Sequence, residues 1–206
     1  MNLEVEGAIG LFGGTFNPVH CGHLNLALEL KERCLLKEVW WIPAQISPIR
    51  RDEPPVEGHH RLNMLSLALE DISDFRINDF ELKRPGPSYT IDTLKELLKK
   101  NERYVLILGE DTVLHFNEWK SSEEIVRYIP LLIGCRRRAD LRRQLRALKM
   151  KESVEEGIQR GLVETSLMEI SSTEIRKRIK KKLYCRHLVP SKVIDYIYEN
   201  ELYYSS

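Results

Sequence analysis

Short apolar runs, each followed by a stretch of helical periodicity, constrain this chain more than any other feature. Residues 8–12 form the first run, and the segment after it puts Leu24, Ala27 and Leu28 on one helical face. Val39-Trp40-Trp41-Ile42 is the second run, ended by Pro43. A polar, proline-rich loop from Gln45 to about Gly58 leads into a helix marked by Leu62, Leu65 and Leu69. Phe75-Arg76-Ile77 reads as a weaker strand, and Leu94, Leu97 and Leu98 as a helix face. Tyr104-Val105-Leu106-Ile107-Leu108 is a strong strand that stops at Gly109, and Leu131-Leu132-Ile133 follows. Residues 136–156 are charged and read as helical, and Leu162-Val163 as a last short strand. One terminal helix starts near Ser172 and another carries Val193, Ile194 and Ile197.

This alternation predicts an α/β fold, a Rossmann-like doubly wound parallel sheet with helices on both faces. Ligands of such sheets bind beyond the carboxyl ends of the strands, where strand order reverses. The loops that end the strands are therefore the places to look for chemistry. No internal repeat, linker or low-complexity tract interrupts the pattern, so residues 1–206 read as a single domain. A chain of 206 residues can bury enough surface to need no covalent staple.

The formal net charge is +1, so no global field draws the chain to nucleic acid or to a membrane, and anion binding must be local. Cys21, Cys34, Cys135 and Cys185 are far apart and include no C-x-x-C pair, which points away from a structural zinc site and towards a reduced cytoplasmic setting. The acidic start Met1-Asn2-Leu3-Glu4-Val5-Glu6 does not read as a signal peptide, and no apolar run approaches the roughly 20 residues of a membrane span.

The first strand runs into Gly13-Gly14-Thr15-Phe16-Asn17-Pro18-Val19-His20-Cys21-Gly22-His23. Gly13 and Gly14 would permit positive φ and a close backbone approach to a ligand. The helix that follows offers unpaired N–H groups and a positive dipole end, which suit a phosphate. His20 and His23 are three apart at its start and can share a face, with Gly22 leaving the space in front open. Imidazole N–H groups can stabilise a phosphate oxygen whose charge grows in a transition state. Two other readings compete: ordinary helix-start residues, or metal ligation by His20, Cys21 and His23. For the second, Cys21 would point away from the histidine face and no carboxylate has suitable spacing.

Late in the chain, Ile170-Ser171-Ser172-Thr173-Glu174-Ile175-Arg176 opens a helix. Ser171 and Glu174 have capping-box spacing, and Lys177, Arg178 and Lys180 can form a solvated face. The same hydroxyls, helix N–H groups and Arg176 can instead make a second anion clamp. Gly109-Glu110-Asp111 ends the strongest strand. Asp111 there can accept hydrogen bonds from a ribose, and Trp119 can stack on an aromatic ring. Core packing of Phe116 and Trp119 is the competing reading.

The eleven-residue string resembles the signature of the adenylyltransferases that carry an H-x-G-H motif. More closely, it is similar to the bacterial nicotinate-nucleotide adenylyltransferases, whose version reads GGTF[DN]PxHxGH. The later Ile170-to-Arg176 string, the GEDTVLHFNEW segment from Gly109 to Trp119, and Ser88-Tyr89-Thr90-Ile91-Asp92-Thr93-Leu94 also resemble that family, as do Val189-Pro190 and the terminal Tyr196-Ile197 and Leu202-Tyr203. The resemblance runs from Gly13 to Tyr203. It implies that ATP's triphosphate lies over Gly13, Gly14, Thr15, Phe16 and Gly22. His20 and His23 then serve the α/β-phosphate region, with Ser171, Ser172, Thr173 and Arg176 at the β/γ end. It assigns Trp119 to the pyridine ring. It assigns Ser88, Tyr89 and Thr90 to the nicotinate carboxylate, largely through backbone N–H groups at a helix start, which favours a carboxylate over a neutral amide. Thr90 and Asp92 can cap that helix as well. Two segments depart from the pattern. Ser47-Pro48-Ile49-Arg50 replaces P-P-H-K, keeping a cation in Arg50 for the mononucleotide but losing an imidazole. Cys135-Arg136-Arg137-Arg138-Ala139 replaces C-R-R-P-G.

The implied reaction joins ATP and nicotinate mononucleotide into deamido-NAD, with loss of pyrophosphate. Magnesium would travel with the triphosphate, held by ATP and water rather than by protein ligands. Nearby alternatives are a preference for nicotinamide mononucleotide, or phosphopantetheine as acceptor. A catalytically silent nucleotide sensor is a further alternative, against which both histidines speak. From another class, Arg136 to Arg138, Arg142, Arg143, Arg146 and Lys180 to Lys182 can be read as a nucleic-acid-binding patch. Such runs usually solvate a helix face, and no interleaved aromatics or RNA motif accompany them. The expectation is therefore no nucleic-acid and no membrane partner.

Overall fold

A computed structural model describes residues 5–48, 54–166 and 168–204. Six strands form one sheet: β1 (Ile9–Gly14), β2 (Glu38–Pro43), β3 (Phe75–Ile77), β4 (Tyr104–Gly109), β5 (Leu131–Cys135) and β6 (Leu162–Glu164). Every pairing is parallel and the order is β3-β2-β1-β4-β5-β6. This is the doubly wound arrangement expected from the alternation. Its order reverses between β1 and β4, so the switch point lies beside the carboxyl end of β1.

Parallel strands need crossover connections, and the helices that supply them cover both faces. On one face lie α1 (Cys21–Arg33), α2 (Gly58–Leu69), α9 (Ser172–Lys180) and α10 (Ser191–Glu199), which share a core with Phe12, Val39, Trp41, Val105 and Ile107. On the other lie α4 (Thr90–Leu97), α6 (Ser122–Tyr128), α7 (Arg138–Arg146) and α8 (Glu152–Arg160), packed on Ile9, Leu11, Leu106, Leu108 and Ile133. In β4 the two cores take alternate residues, Val105 and Ile107 against Tyr104, Leu106 and Leu108, as the pleat requires. Two short helices, α3 (Phe80–Lys83) and α5 (Glu110–Val113), and a 3-10 turn at Phe116–Glu118 complete the described elements.

The helix faces differ in phase from the sequence expectation. In α1 the buried residues are Leu26, Ala27 and Leu30, while Leu24 and Leu28 are half-buried at the edge of the core. In α2 Leu65 and Leu69 are buried as expected, but Arg61 and Met64 join them while Leu62 is half-buried. Leu98, the C-cap just past α4, is exposed, while Ile91 and Thr93 are buried beside Leu94 and Leu97. Each shift has one cause. A helix with many apolar positions, whether 8 or 13 residues long, fits several stripes, and the sheet selects one.

Candidate active site

The glycine loop is built differently from the expectation. Gly13 and Gly14 are the last residues of β1, and neither has positive φ. The left-handed residue is Phe16, with φ 48°. Phe16 is buried, its ring 5.2 Å from the rings of both Trp41 and His23 and 5.6 Å from that of Phe12. It therefore anchors the loop from below. Gly14 is needed for that anchor, since a Cβ there would lie 2.9 Å from the Phe16 ring. A Cβ on Gly13 would meet nothing within 4 Å, so this glycine borders open space.

His20 is the N-cap of α1 and His23 its third residue. The two imidazoles form a reciprocal capping box. His20 Nδ1 accepts the His23 backbone N–H, and His23 Nδ1 accepts the His20 backbone N–H, both at 3.3 Å. The rings stack with centroids 3.6 Å apart. An accepting Nδ1 puts the proton of a neutral imidazole on Nε2. Burial holds His20 neutral, with its pKa pushed down to about 4. The space beside Gly22 is filled: a Cβ there would meet His20 Nδ1 at 3.1 Å and the Met168 carbonyl at 3.2 Å. Among the described residues no three His, Cys, Asp or Glu side chains gather as metal ligands would.

The second motif docks on the first. Ser172 Oγ donates to the Pro18 carbonyl at 2.9 Å, and Arg176 Nη1 donates to the Asn17 carbonyl at 2.9 Å. Arg176 Nη2 donates to Thr173 Oγ1 at 3.4 Å. Ser171 is the N-cap of α9, but its side chain makes no capping hydrogen bond, so the capping box suggested by Glu174 does not form. The start of α9, with Ser171, Ser172 and Thr173, thus lies against the histidine motif despite the length of chain between them.

On the acceptor side, Ser88 is buried and turned towards the β2 loop. Its N–H donates to the Ile46 carbonyl and its Oγ accepts the Gln45 N–H, both at 2.9 Å. Tyr89 is the N-cap of α4 and Thr90 its first residue, and no side chain caps this helix. The capping role expected of Thr90 and Asp92 is therefore absent. Asp92 instead pairs with Lys120 at 3.2 Å, and Lys120 Nζ sits 4.5 Å from the centre of the Tyr89 ring. Asp111 is exposed in the first turn of α5. Phe116 is fully buried, whereas Trp119, its ring centre 5.1 Å away, is half-buried. Core packing thus accounts for the first aromatic and only partly for the second. Arg50 and Ile49 lie outside the described residues.

The basic cluster is interleaved with acids. Arg136 pairs with Glu169, and Arg143 with Asp140 at 3.6 Å. Glu110 and Glu164 accept the backbone N–H groups of Arg136 and Arg138, both at 3.1 Å, which shapes the departing loop after β5.

Four residues of the site were not singled out from sequence. Asn17 accepts the Tyr203 hydroxyl at 2.8 Å. Arg61 is 1% exposed and donates to backbone carbonyls of two loops, those after β1 and β2. Glu81 is buried and accepts from Thr93 at 2.6 Å, and burial raises its pKa. The spacing of Arg61 with Met64 and Leu65 was a signal for its burial; nothing in the sequence tied Tyr203 to Asn17, 186 positions away.

Known proteins are similar to this chain. A family model described as cytidylyltransferase-like matches residues 11–178. The probable nicotinate-nucleotide adenylyltransferase of Carboxydothermus hydrogenoformans is 39% identical over 200 residues, covering 95% of this chain and 97% of that protein. The nicotinate-nucleotide adenylyltransferase of Bacillus subtilis is 35% identical over 199 residues, covering 96% of this chain and 98% of that protein. Among solved structures, the Plasmodium falciparum nicotinic acid mononucleotide adenylyltransferase complexed with NaAD superposes with a TM-score of 0.76 at 23% identity. It covers 96% of this chain and 98% of its own, a likeness of fold.

Proposed function

The chain belongs to the nicotinate-nucleotide adenylyltransferases, within the cytidylyltransferase-like family, and from that membership we propose that it joins ATP to nicotinate mononucleotide. The products are deamido-NAD and pyrophosphate, a step of NAD biosynthesis. An oxygen of the mononucleotide's 5′-phosphate attacks the α-phosphorus of ATP in line. The new P–O bond forms as the bond to the β-phosphate oxygen breaks, and pyrophosphate leaves with that electron pair. The nucleophile is already an anion, so no general base and no covalent intermediate are needed. The protein's task is alignment and charge stabilisation.

One observation carries this reading: the reciprocal cap of His20 and His23. It gives both imidazoles an accepting Nδ1 and so an Nε2–H, at the switch point of the sheet. Those donors suit the bridging and non-bridging oxygens of the α- and β-phosphates, where charge accumulates. Gly13, Gly14 and Thr15 offer backbone to the triphosphate, with Phe16 and Gly22 shaping the loop. The N-terminus of α9, with Ser171, Ser172, Thr173 and Arg176, takes the β/γ end. Asp111 faces the ribose, Trp119 the pyridine, and the start of α4 at Ser88, Tyr89 and Thr90 the nicotinate carboxylate. Arg50 keeps its assignment to the mononucleotide phosphate.

A divalent cation, magnesium in this reading, neutralises the triphosphate when bound. Imidazoles, a guanidinium and hydroxyls suit the phosphate end of such a complex, with phosphate oxygens and water holding the ion. We treat residues 1–206 as one nucleotidyltransferase domain, and no helix among the described residues is long and apolar enough to cross a membrane. Four cysteines without a disulfide suit a reducing compartment, which is why we place the enzyme in the cytoplasm.

The test is pyrophosphate release from ATP with a panel of acceptors: nicotinate mononucleotide, nicotinamide mononucleotide and phosphopantetheine. Release with nicotinate mononucleotide well above the other two is the expected result. No release with either pyridine nucleotide would remove the specific reaction while leaving adenylyl transfer to another acceptor.

A further inference from the structure

Arg61 is an unusual residue to find on the buried face of a helix. Its guanidinium donates from Nε to the Val56 carbonyl at 3.1 Å and from Nη1 to those of Thr15 at 3.0 Å and Ala44 at 2.6 Å. Nη2 reaches the Gln45 carbonyl at 3.4 Å. All four acceptors are neutral. Burying a charge without a carboxylate costs several kcal/mol, and an apolar side chain would serve stability at lower cost. A planar fork with five N–H donors, however, is the one side chain able to hold this many carbonyls at once.

The carbonyls belong to two loops, the glycine loop after β1 and the connection from β2 to α2, and these lead to different substrates. Thr15 lies in the glycine loop, on the triphosphate side. Gln45 lies in the loop after β2, and its N–H is held by Ser88 Oγ at 2.9 Å, on the acceptor side. Val56 precedes α2, and its N–H donates to Asn17 Oδ1 at 3.4 Å. Asn17 Oδ1 also accepts the Tyr203 hydroxyl, and the Asn17 carbonyl accepts Arg176. One buried cluster therefore touches the first motif, the second motif, the acceptor loop and the C-terminal segment.

We propose that the buried cluster centred on Arg61, with Asn17 and Tyr203, is a positioning device that sets the distance between the triphosphate side and the acceptor side of the cleft. The proposal rests on the adenylyl-transfer reading above. Each half-site is built by its own helix start and loop, so each binds its ligand without the cluster. What the cluster supplies is their common reference. In-line attack needs the phosphate oxygen about 3–3.5 Å from the α-phosphorus, and a misplacement of about 1 Å can cost on the order of 100-fold in rate. Arg61 thus acts through the loops it holds.

The test compares Arg61→Lys with the wild type. Lysine keeps the charge but cannot hold four carbonyls across the two loops. Calorimetric titration with a non-hydrolysable ATP analogue, and separately with nicotinate mononucleotide, gives affinity and the fraction of competent sites. Rapid-quench single turnover gives the rate of dinucleotide formation. The expected result is that each ligand alone binds within about 3-fold of wild type at full stoichiometry, while single turnover slows by about 10- to 100-fold. A purely structural role would lower the stoichiometry along with the rate. Single turnover within about 2-fold of wild type in folded protein, or affinity lost in step with rate, would overturn the proposal. Should Arg61→Lys not fold, Tyr203→Phe carries the test, because it removes one hydrogen bond of the cluster and leaves the guanidinium in place. It is expected to slow single turnover by about 2- to 5-fold with both affinities kept, and an unchanged rate overturns the proposal. A wild type that makes no dinucleotide removes the reaction and this role together; an active wild type beside an equally fast variant removes this role alone.

Discussion

His20 and His23 each close the other's backbone: the Nδ1 of one accepts the main-chain N–H of the other, at 3.3 Å in both directions. A capping box is usually a hydroxyl paired with a carboxylate or amide. Here both partners are imidazoles, so a helix cap and a pair of phosphate donors are made of the same atoms. The cap orients the rings and selects the tautomer, and the rings stack at 3.6 Å with their planes 24° apart. Structure and proposed chemistry can still be separated, because the cap needs only an acceptor whereas catalysis needs the donor at Nε2.

His20→Asn makes that separation. Asparagine is a strong N-cap and its side-chain oxygen can accept the His23 N–H, so stability should change by less than about 1 kcal/mol. The donor towards the phosphates is lost, which should cost about 2.7–4 kcal/mol of barrier, or roughly 100- to 1,000-fold in kcat. Thermal denaturation and pyrophosphate release on the same preparation check both parts. His23→Ala should lose a similar amount of activity and some helix stability as well. Activity within a few-fold of wild type in either variant would remove the histidine from the proposed role.

Acid should destabilise the protein through His20. Its folded pKa, about 4, lies below the ordinary value of 6.5 because burial disfavours the cation. Below pH 6.5 the unfolded chain takes up a proton that the folded chain refuses, so stability falls as pH drops and levels off below the folded pKa. At pH 5 the loss attributable to this group is about 2 kcal/mol, relative to neutral pH. Urea denaturation of wild type and His20→Asn at pH 7 and pH 5 isolates it, since other titrating groups are common to both. The wild type should lose about 2 kcal/mol more than the variant. Parallel losses would mean that His20 titrates normally in the folded state.

Most of the sheet was legible in the sequence because β1, β2 and β4 are short apolar runs closed by glycine or proline, and their burial leaves little room for another reading. Helix phase was less so. Arg61 takes a core position on α2 that a hydrophobic pattern assigns to leucine, and only the carbonyls of Thr15, Ala44, Gln45 and Val56 explain it. The two motifs could be recognised as strings. Their union through Ser172 and Pro18, and through Arg176 and Asn17, is a tertiary fact with no local signal. Glycine chemistry was misplaced by two residues: positive φ falls on Phe16, where tertiary packing of the ring against Trp41 outweighs the backbone preference. The link from Tyr203 to Asn17 spans nearly the whole chain.

Phe116 and Trp119 are neighbours with different expected roles. Phe116 is fully buried, so Phe116→Ala should cost about 3–5 kcal/mol and lower the melting temperature by about 10 °C or more. Trp119 is half-buried and assigned to the pyridine ring. Trp119→Ala should raise the KM for nicotinate mononucleotide by about 10- to 100-fold, the scale of one lost stacking partner, and leave the KM for ATP nearly unchanged. Steady-state kinetics with each substrate varied in turn distinguishes the two. Equal effects on both substrates would return Trp119 to a packing role.

Gly22→Ala tests how closely the histidine pair is confined. Alanine in a helix is favoured over glycine by about 1 kcal/mol, so backbone preference alone predicts a more stable protein. The new Cβ, however, would meet His20 Nδ1 at 3.1 Å and Cε1 at 3.2 Å on one side, and the Met168 carbonyl at 3.2 Å on the other. The chain before Met168 is tied down, because the Ser166 N–H donates to Glu29 at 3.0 Å. The His20 ring is therefore the part that yields, and its Nδ1 contact with the His23 N–H yields with it. Overpacking of this kind costs about 1–3 kcal/mol, so the net change in stability should be small and unfavourable. The change in kcat should be larger, about 10-fold or more, because a donor displaced by a few tenths of an ångström no longer points at the developing charge. Melting temperature and pyrophosphate release measured together check this. A variant that is stabilised and fully active would show that the ring has room to spare, and that the narrow fit between α1 and the loop at Met168 plays no part in turnover.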